Sequence, residues 1–150
     1  MSLELIEIEK SVAGSKHIYP TSLVLRKNSI NILLGATLSG KTTLMQLMGG
    51  IEKPSNGKIL FNGEDVTNMS VQKRNISMVY QQFINYPNFT VYENIASPLR
   101  LQKLHRTEVE KKVDEISDLL KLKPMLNRRP NELSGGQQQR TALARALVKD

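Results

Sequence analysis

No cysteine occurs in the 150 residues, which excludes disulfide frameworks, thiolate-ligated zinc and cysteine nucleophiles. Histidine is scarce as well. His17 and His105 lie far apart, and neither has a partner at metal-ligand spacing. Aromatic residues make up only 5%, too few to interleave with basic side chains as nucleic-acid interfaces do. Long apolar runs are also missing. Stretches such as Ile32-Leu33-Leu34 fall far short of the roughly 20 residues a membrane-crossing helix needs. The amino terminus, MSLELIEIEK, alternates apolar and acidic residues, where a secretory signal would place basic residues before an apolar run. A cytosolic protein is the expectation. What remains, 39% apolar and 23% charged residues, has the balance of one globular domain.

The net charge is +7, and its distribution decides what it means. Residues 1–75 carry 9 basic and 6 acidic side chains, and residues 76–150 carry 12 and 8. Only Lys121, Lys123, Arg128 and Arg129 form a loose cluster. A nucleic-acid binder gathers its charge on one face. The even spread points to a solvated surface, with no nucleic-acid partner expected.

Along the chain, Leu3–Glu9 alternates as a half-exposed strand does. A turn at Ala13-Gly14-Ser15 leads to a second short strand at Leu23–Leu25. The run Ser29–Leu34 is more apolar and reads as a strand buried on both faces. Residues 41–49 switch to helical spacing, with Leu44, Leu47 and Met48 on one side. Pro54–Gly57 reads as loop, Lys58–Phe61 as strand and Asn62-Gly63 as a turn. Ile76–Tyr80 is a further run of strand length. Beyond it the pattern becomes helical. Thr90 with Glu93, and Thr107 with Glu110, match the capping box. Val109, Val113, Ile116 and Leu119 or Leu120 form one apolar stripe. The join between the two halves falls near Gln81–Asn88.

Gly35-Ala36-Thr37-Leu38-Ser39-Gly40-Lys41-Thr42 fits G-x-x-x-x-G-K-[ST] without a mismatch, after a strand-like run and before a helical one. Glycines let the backbone curl so that several N–H groups face one anion. The helix that follows adds its positive end. Lys41 supplies a charge to the β and γ phosphates, the Thr42 hydroxyl suits Mg²⁺, and Thr43 is a further candidate for the α phosphate. Average residue frequencies produce this pattern by accident in roughly one chain in 200 of this length. A plain glycine turn is the poorer explanation.

Leu133-Ser134-Gly135-Gly136-Gln137 precedes a helical run containing Ala142, Leu143, Ala146 and Leu147. Ser134 and Gln137 form a capping box, and a capped helix start flanked by glycines is itself an anion site. Here the chain resembles the ATP-binding-cassette (ABC) ATPases, whose signature is this LSGGQ. The resemblance spans essentially the whole chain and follows the family order of nucleotide loop, glutamine loop, helical subdomain and signature.

The resemblance implies an α/β P-loop NTPase fold. Residues 1–81 would be the nucleotide-binding core, 82–135 the glutamine loop and helical subdomain, and 136–150 the post-signature helix. It implies ATP and Mg²⁺ as cofactors, with Gly35, Ser39, Gly40, Lys41, Thr42 and Thr43 around the phosphates. Gln81, beside the neighbouring Gln82, would be the loop glutamine touching Mg²⁺ (with Thr42) and the attacking water. In the family two cassettes meet head to tail, so Ser134 and Gly136 would contact the γ phosphate held at a partner's Lys41. The expected partners are membrane-spanning permease subunits and a second nucleotide-binding subunit, with the chain peripheral on the inner face of the cell membrane. YQQFINYP, GATLSGKT and the Thr90–Ala96 segment are similar to the carbohydrate-import branch, of glycerol or glycerol-phosphate type.

Two departures stand out. The family usually stacks adenine on an early-loop aromatic, and the matching place holds Val12; Tyr19 or His17 could substitute. Hydrolysis in the family also needs an aspartate ending an apolar strand and a following glutamate. Asp114 and Asp118 lie on a helical polar face, and Asp65 follows a hairpin turn before the glutamine loop. Asp150 is the last residue. The expectation is an N-terminal part of a cassette lacking the C-terminal strands, marginally stable, binding ATP with little turnover. A nucleic-acid-acting or ribosome-associated cassette ATPase is the alternative, and a binding-only remnant is a third reading. The N-x-[ST] triplets at Asn68, Asn75 and Asn88 carry no glycosylation expectation.

Overall fold

A computed structural model describes residues 2–74, 76–82 and 84–149. Met1, Asn75 of one N-x-[ST] triplet, Phe83 of the importer-like segment and Asp150 lie outside the described residues. The chain forms two compact units, Met1–Ile76 and Ser77–Asp150.

Among the described residues the first unit is an antiparallel sheet with one α-helix and a short 3-10 turn at Val71–Lys73. Strands β1 (Leu3–Val12), β2 (Ser15–Leu25), β3 (Asn56–Phe61) and β4 (Glu64–Asp65) lie in the order β2-β1-β3-β4. The Ala13-Gly14 and Asn62-Gly63 turns form as the sequence predicts. β2 extends well upstream of the expected Leu23–Leu25 because Lys10, Ser11 and Val12 pair with Ile18, Lys16 and Ser15. Side-chain alternation in β1 breaks between Ile6 and Glu7, both exposed, and the register shifts between Leu5 and Ile8 against β2 and between Ile6 and Glu9 against β3. Glu7 sits there at φ 47, with its N–H donating to Ser22 Oγ at 3.0 Å. The bulge returns Ile8 to the core (0% exposed) and leaves Ile6 42% exposed. Gly57, at φ +88, accommodates it, since a Cβ there would overlap the Glu7 carbonyl. Helix α1 (Lys41–Gly49) joins the core through Leu44 and Leu47, which cluster with Leu5, Ile8, Ile18, Ile59 and Val66. Burying each such aliphatic side chain contributes about 1.5–3 kcal/mol.

Two expected strands do not form. Residues 30–34 and 76–80 are in no strand, and Ile30, Ile32 and Leu34 are 93%, 76% and 85% exposed. A strand exists only by pairing its N–H and C=O groups. No strand among the described residues pairs with either segment. The nucleotide loop therefore follows an exposed, unpaired segment.

The second unit is helical: α2 (Val91–Leu101), α3 (Arg106–Leu119) and α4 (Gly135–Leu147). Thr90 and Glu93 form the predicted capping box. Pro98 lies inside α2 and cannot donate to the Asn94 carbonyl. The Ser97 hydroxyl donates to that oxygen instead, at 2.8 Å. α3 starts before the predicted Thr107, with His105 as N-cap and no side-chain capping bond. Glu110 is drawn into an ion pair with Arg106 (2.7 Å), and Thr107 pairs with the His105 ring. The predicted stripe packs through Val109 and Val113, with Ile116 and Leu120 beside the core, whereas Leu119 faces solvent.

Candidate functional site

The loop from Gly35 to Gly40 curls back on itself. Ser39 N donates to the Ala36 carbonyl at 3.2 Å, and Lys41 folds over the loop. Its ammonium donates to the carbonyls of Gly35 (2.9 Å) and Ala36 (2.5 Å) and approaches Ser39 Oγ at 3.3 Å. Two glycines make this curl possible. A Cβ on Gly35 would lie 2.7 Å from Ser39 Oγ. Gly40 sits at φ +85, and a Cβ there would lie 2.6 Å from Ile18 Cδ1. Leu38 takes φ 67 at the loop tip and is 99% exposed.

α1 begins at this loop without a side-chain cap and without an acid in its first turn. α2 and α4 differ, since Thr90 and Ser134 cap them. The N-terminal N–H groups of a helix need acceptors, and at α1 no side chain of the helix supplies one. Thr42 is exposed and Thr43 half-buried. A cavity of about 360 Å³ adjoins the loop, lined by Gly35, Ser39, Gly40 and Lys41 and by His17 and Tyr19 of β2. Both alternatives for the missing early-loop aromatic thus line the same cavity as the loop, and Val12 does not. The donor set is one ammonium, a helix start and glycine-shaped backbone, and it carries no carboxylate. This chemistry fits a polyphosphate.

Gln81, Ser134 and Gly136 belong to the second unit. Gln81 and its neighbour Gln82 are exposed. Ser134 Oγ accepts from Gln137 N at 3.4 Å, and Gln137 Oε1 accepts from Ser134 N at 2.8 Å, so the signature serine caps α4 as predicted. A Cβ on Gly136 would meet only Arg140 Nη1, at 3.8 Å. Among the described residues no packing contact demands a glycine there. A cavity of about 580 Å³ in the second unit is lined mainly by apolar and aromatic groups such as Tyr80, Tyr86, Phe89 and Leu101.

Asp65 is engaged locally. Its Oδ1 accepts from Thr67 N at 2.9 Å, and the side-chain and backbone hydrogen bonds from Thr67 hold its carboxyl below the ordinary range. Among the described residues no cluster of histidine and acidic side chains is arranged to hold a metal. Sequence reasoning missed Arg74. It is 5% exposed and binds five backbone carbonyls, two of them at the end of α1. No local pattern flags it, because its partners lie up to 27 positions away.

Comparison with known proteins adds three findings. The profile of the ABC transporter family matches residues 18–150. The spermidine/putrescine import ATP-binding protein PotA of Haemophilus influenzae is 39% identical over 146 residues, covering 97% of this chain and 39% of that protein. The Fe(3+) ions import ATP-binding protein FbpC of Vibrio cholerae is 47% identical over 126 residues (84% and 36%), and the molybdate/tungstate import ATP-binding protein WtpC of Pyrococcus abyssi 43% over 127 (85% and 37%). The chain thus spans about two fifths of the length of the curated relatives it matches. Among solved structures, the dimeric post-hydrolysis state of the ATP-binding cassette MJ0796 bound to ADP and Pi aligns with a TM-score of 0.87 at 28% identity, covering 97% of this chain and 69% of that one.

Proposed function

The chain belongs to the ABC transporter family, and on that premise we propose that it forms the ATP-binding part of an import transporter. The observation that carries the reading is Lys41 folded over a glycine-shaped loop at the uncapped start of α1. Its ammonium is held there by neutral carbonyls. A polyphosphate would exchange those for anionic oxygens, adding the attraction of opposite charges to each hydrogen bond. The free N–H groups of α1 would bind the same oxygens. Thr42 would ligate Mg²⁺ and Thr43 would lie toward the α phosphate; Gln81 is proposed for Mg²⁺ from the family's glutamine loop alone. Bound Mg²⁺ neutralises charge on the β and γ oxygens. His17 and Tyr19 would flank the base end of the cavity. Ser134 and Gly136 would serve the nucleotide of a second nucleotide-binding subunit, and the dimeric state of MJ0796 supports that arrangement.

Membrane-spanning permease subunits and a place on the cytoplasmic face of the membrane are proposed from the importers among the relatives. The same relatives favour transport over nucleic-acid work. Their cargos, a polyamine, ferric ions and molybdate or tungstate, are chemically unrelated, which supports reading cargo choice as a property of other subunits. A carbohydrate or polyol cargo, of glycerol type, rests on the Gly35–Thr42 and Tyr80–Ala96 segments alone. With Asp65 committed to Thr67, binding is proposed for the described residues, not turnover.

Titration of a fluorescent ATP analogue with Mg²⁺ against the wild-type chain and Lys41→Ala tests the site. Loss of one charge-assisted contact is expected to weaken binding about 10- to 100-fold. Equal affinities would refute the assignment.

A further inference from the structure

α1 has nine residues and a length of about 13 Å, too short to hold itself together without tertiary contacts. Its N-terminal end has no side-chain cap, and its last turn carries no basic residue. Leu44 and Leu47, with half-buried Met48 beside them, seat it in the core. The cation its C-terminal end lacks comes from a distant position. Arg74 Nη1 donates to the carbonyls of Leu47 (3.3 Å) and Met48 (3.1 Å). Nη2 donates to Val66 (2.5 Å) and Thr67 (3.0 Å), and Nε to Met69 (3.2 Å). Among the described residues no carboxylate lies within ion-pair distance of this guanidinium. Gly50, at φ +72, leaves the space it occupies, since a Cβ there would overlap it.

We propose that Arg74 is a positioning residue for the phosphate site: it ties the C-terminal end of α1 to the 66–69 segment and thereby aims the opposite end of the helix, with Lys41 and Thr42, at the nucleotide. The proposal rests on the ATP-binding reading above. Apolar contacts confined to a single turn, residues 44–48, leave a short rod free to tilt, and the five-donor fork supplies a further fixed point. A binding constellation must be held to within about 0.5 Å, so a tilt of the rod is felt at its far end. Lysine cannot replace the fork, because its ammonium is compact, with only three donors and no planar geometry.

The test compares Mg-ATP with AMP, which lacks the phosphates that Lys41 would hold. Competition against a fluorescent nucleotide gives both affinities for the full chain as wild type, Arg74→Lys and Gly50→Ala, in the cold, with helicity monitored by circular dichroism. Gly50→Ala keeps the charge and displaces the guanidinium, so it serves where Arg74→Lys fails to fold. Either variant is expected to weaken Mg-ATP about tenfold while AMP changes by less than about twofold. Loss of folded protein would scale both ligands equally, so an unchanged ATP-to-AMP ratio overturns the proposal, as does wild-type affinity in Arg74→Lys. Failure of the wild type to bind Mg-ATP would instead refute the ATP-binding reading itself.

Discussion

Arg145 Nη1 lies 3.3 Å from the side-chain oxygen of Asn94, across 51 positions of sequence. Asn94 is fully buried, and the same oxygen accepts the Tyr86 N–H at 2.8 Å. Its amide nitrogen donates to the carbonyls of Tyr86, Phe89 and Thr90 at 3.1, 3.2 and 3.0 Å. Arg145 also donates to the Ile84 carbonyl and lies 4.9 Å from the centroid of the Tyr86 ring. One carboxamide thus fastens the segment before α2 to that helix, and α4 grips it from the other side.

Asn94→Ala strands several of these buried groups at once. With about 1–3 kcal/mol for each unsatisfied group, the helical unit should lose about 3 kcal/mol or more. Asn94→Asp should not rescue it, because a carboxylate has no donor for the three carbonyls. Urea unfolding followed at 222 nm reads the loss, and a wild-type midpoint in Asn94→Ala would refute this account.

Glu93 sets a pH dependence. The backbone N–H of Thr90, with a smaller contribution from its hydroxyl, holds the Glu93 carboxyl below the ordinary value of 4.5. A carboxyl depressed in the folded state stabilises above its unfolded pKa and loses that contribution as pH falls through the folded one. The urea midpoint of the helical unit should therefore drop below about pH 4.5, with Glu93→Gln flattening part of that slope. Identical profiles for the two proteins would contradict the capping role.

Leu38 holds a left-handed backbone conformation at the loop tip. A non-glycine residue there costs about 1–2 kcal/mol, partly offset on substitution by the greater freedom of unfolded glycine. Leu38→Gly should raise the stability of the first unit by up to about 1 kcal/mol relative to Leu38→Ala, which keeps the Cβ. Thermal melts of the two variants check the order, and a more stable alanine variant would be the wrong outcome.

The exposed run at Ile30, Ile32 and Leu34 has β propensity and unpaired backbone. Such a segment templates association between chains. Ile30→Lys with Ile32→Lys should delay the onset of light scattering on concentration while leaving the urea midpoint nearly unchanged, since neither side chain is buried. Scattering equal to wild type would locate the association elsewhere.

The parts legible in sequence are those whose partners are close neighbours along the chain. The loop at 35–42, the caps at Thr90 and Ser134, the Asn62-Gly63 turn and the Val109–Val113 stripe depend on residues within about a helical turn or one hairpin, so their spacing is their geometry. Thr107 was misread because the same local chemistry offers Glu110 two partners, and Arg106 takes it. Period-two alternation from Leu5 would place Ile8 on the solvent face, and it carries no record of the bulge, accommodated by Ser22 and Gly57, that buries it.

By itself, then, the sequence determined the ammonium-bearing glycine loop ahead of a helix, the signature cap and the family these imply. Tertiary structure alone decided that residues 30–34 and 76–80 are not strands, that Arg74 binds the C-terminal end of α1, and that Tyr86 and Arg145 share the Asn94 oxygen. The reason is physical. Caps and turns satisfy backbone groups from nearby residues, whereas a strand's hydrogen bonds and a buried cation's acceptors come from distant chain, and only folding brings that chain into reach.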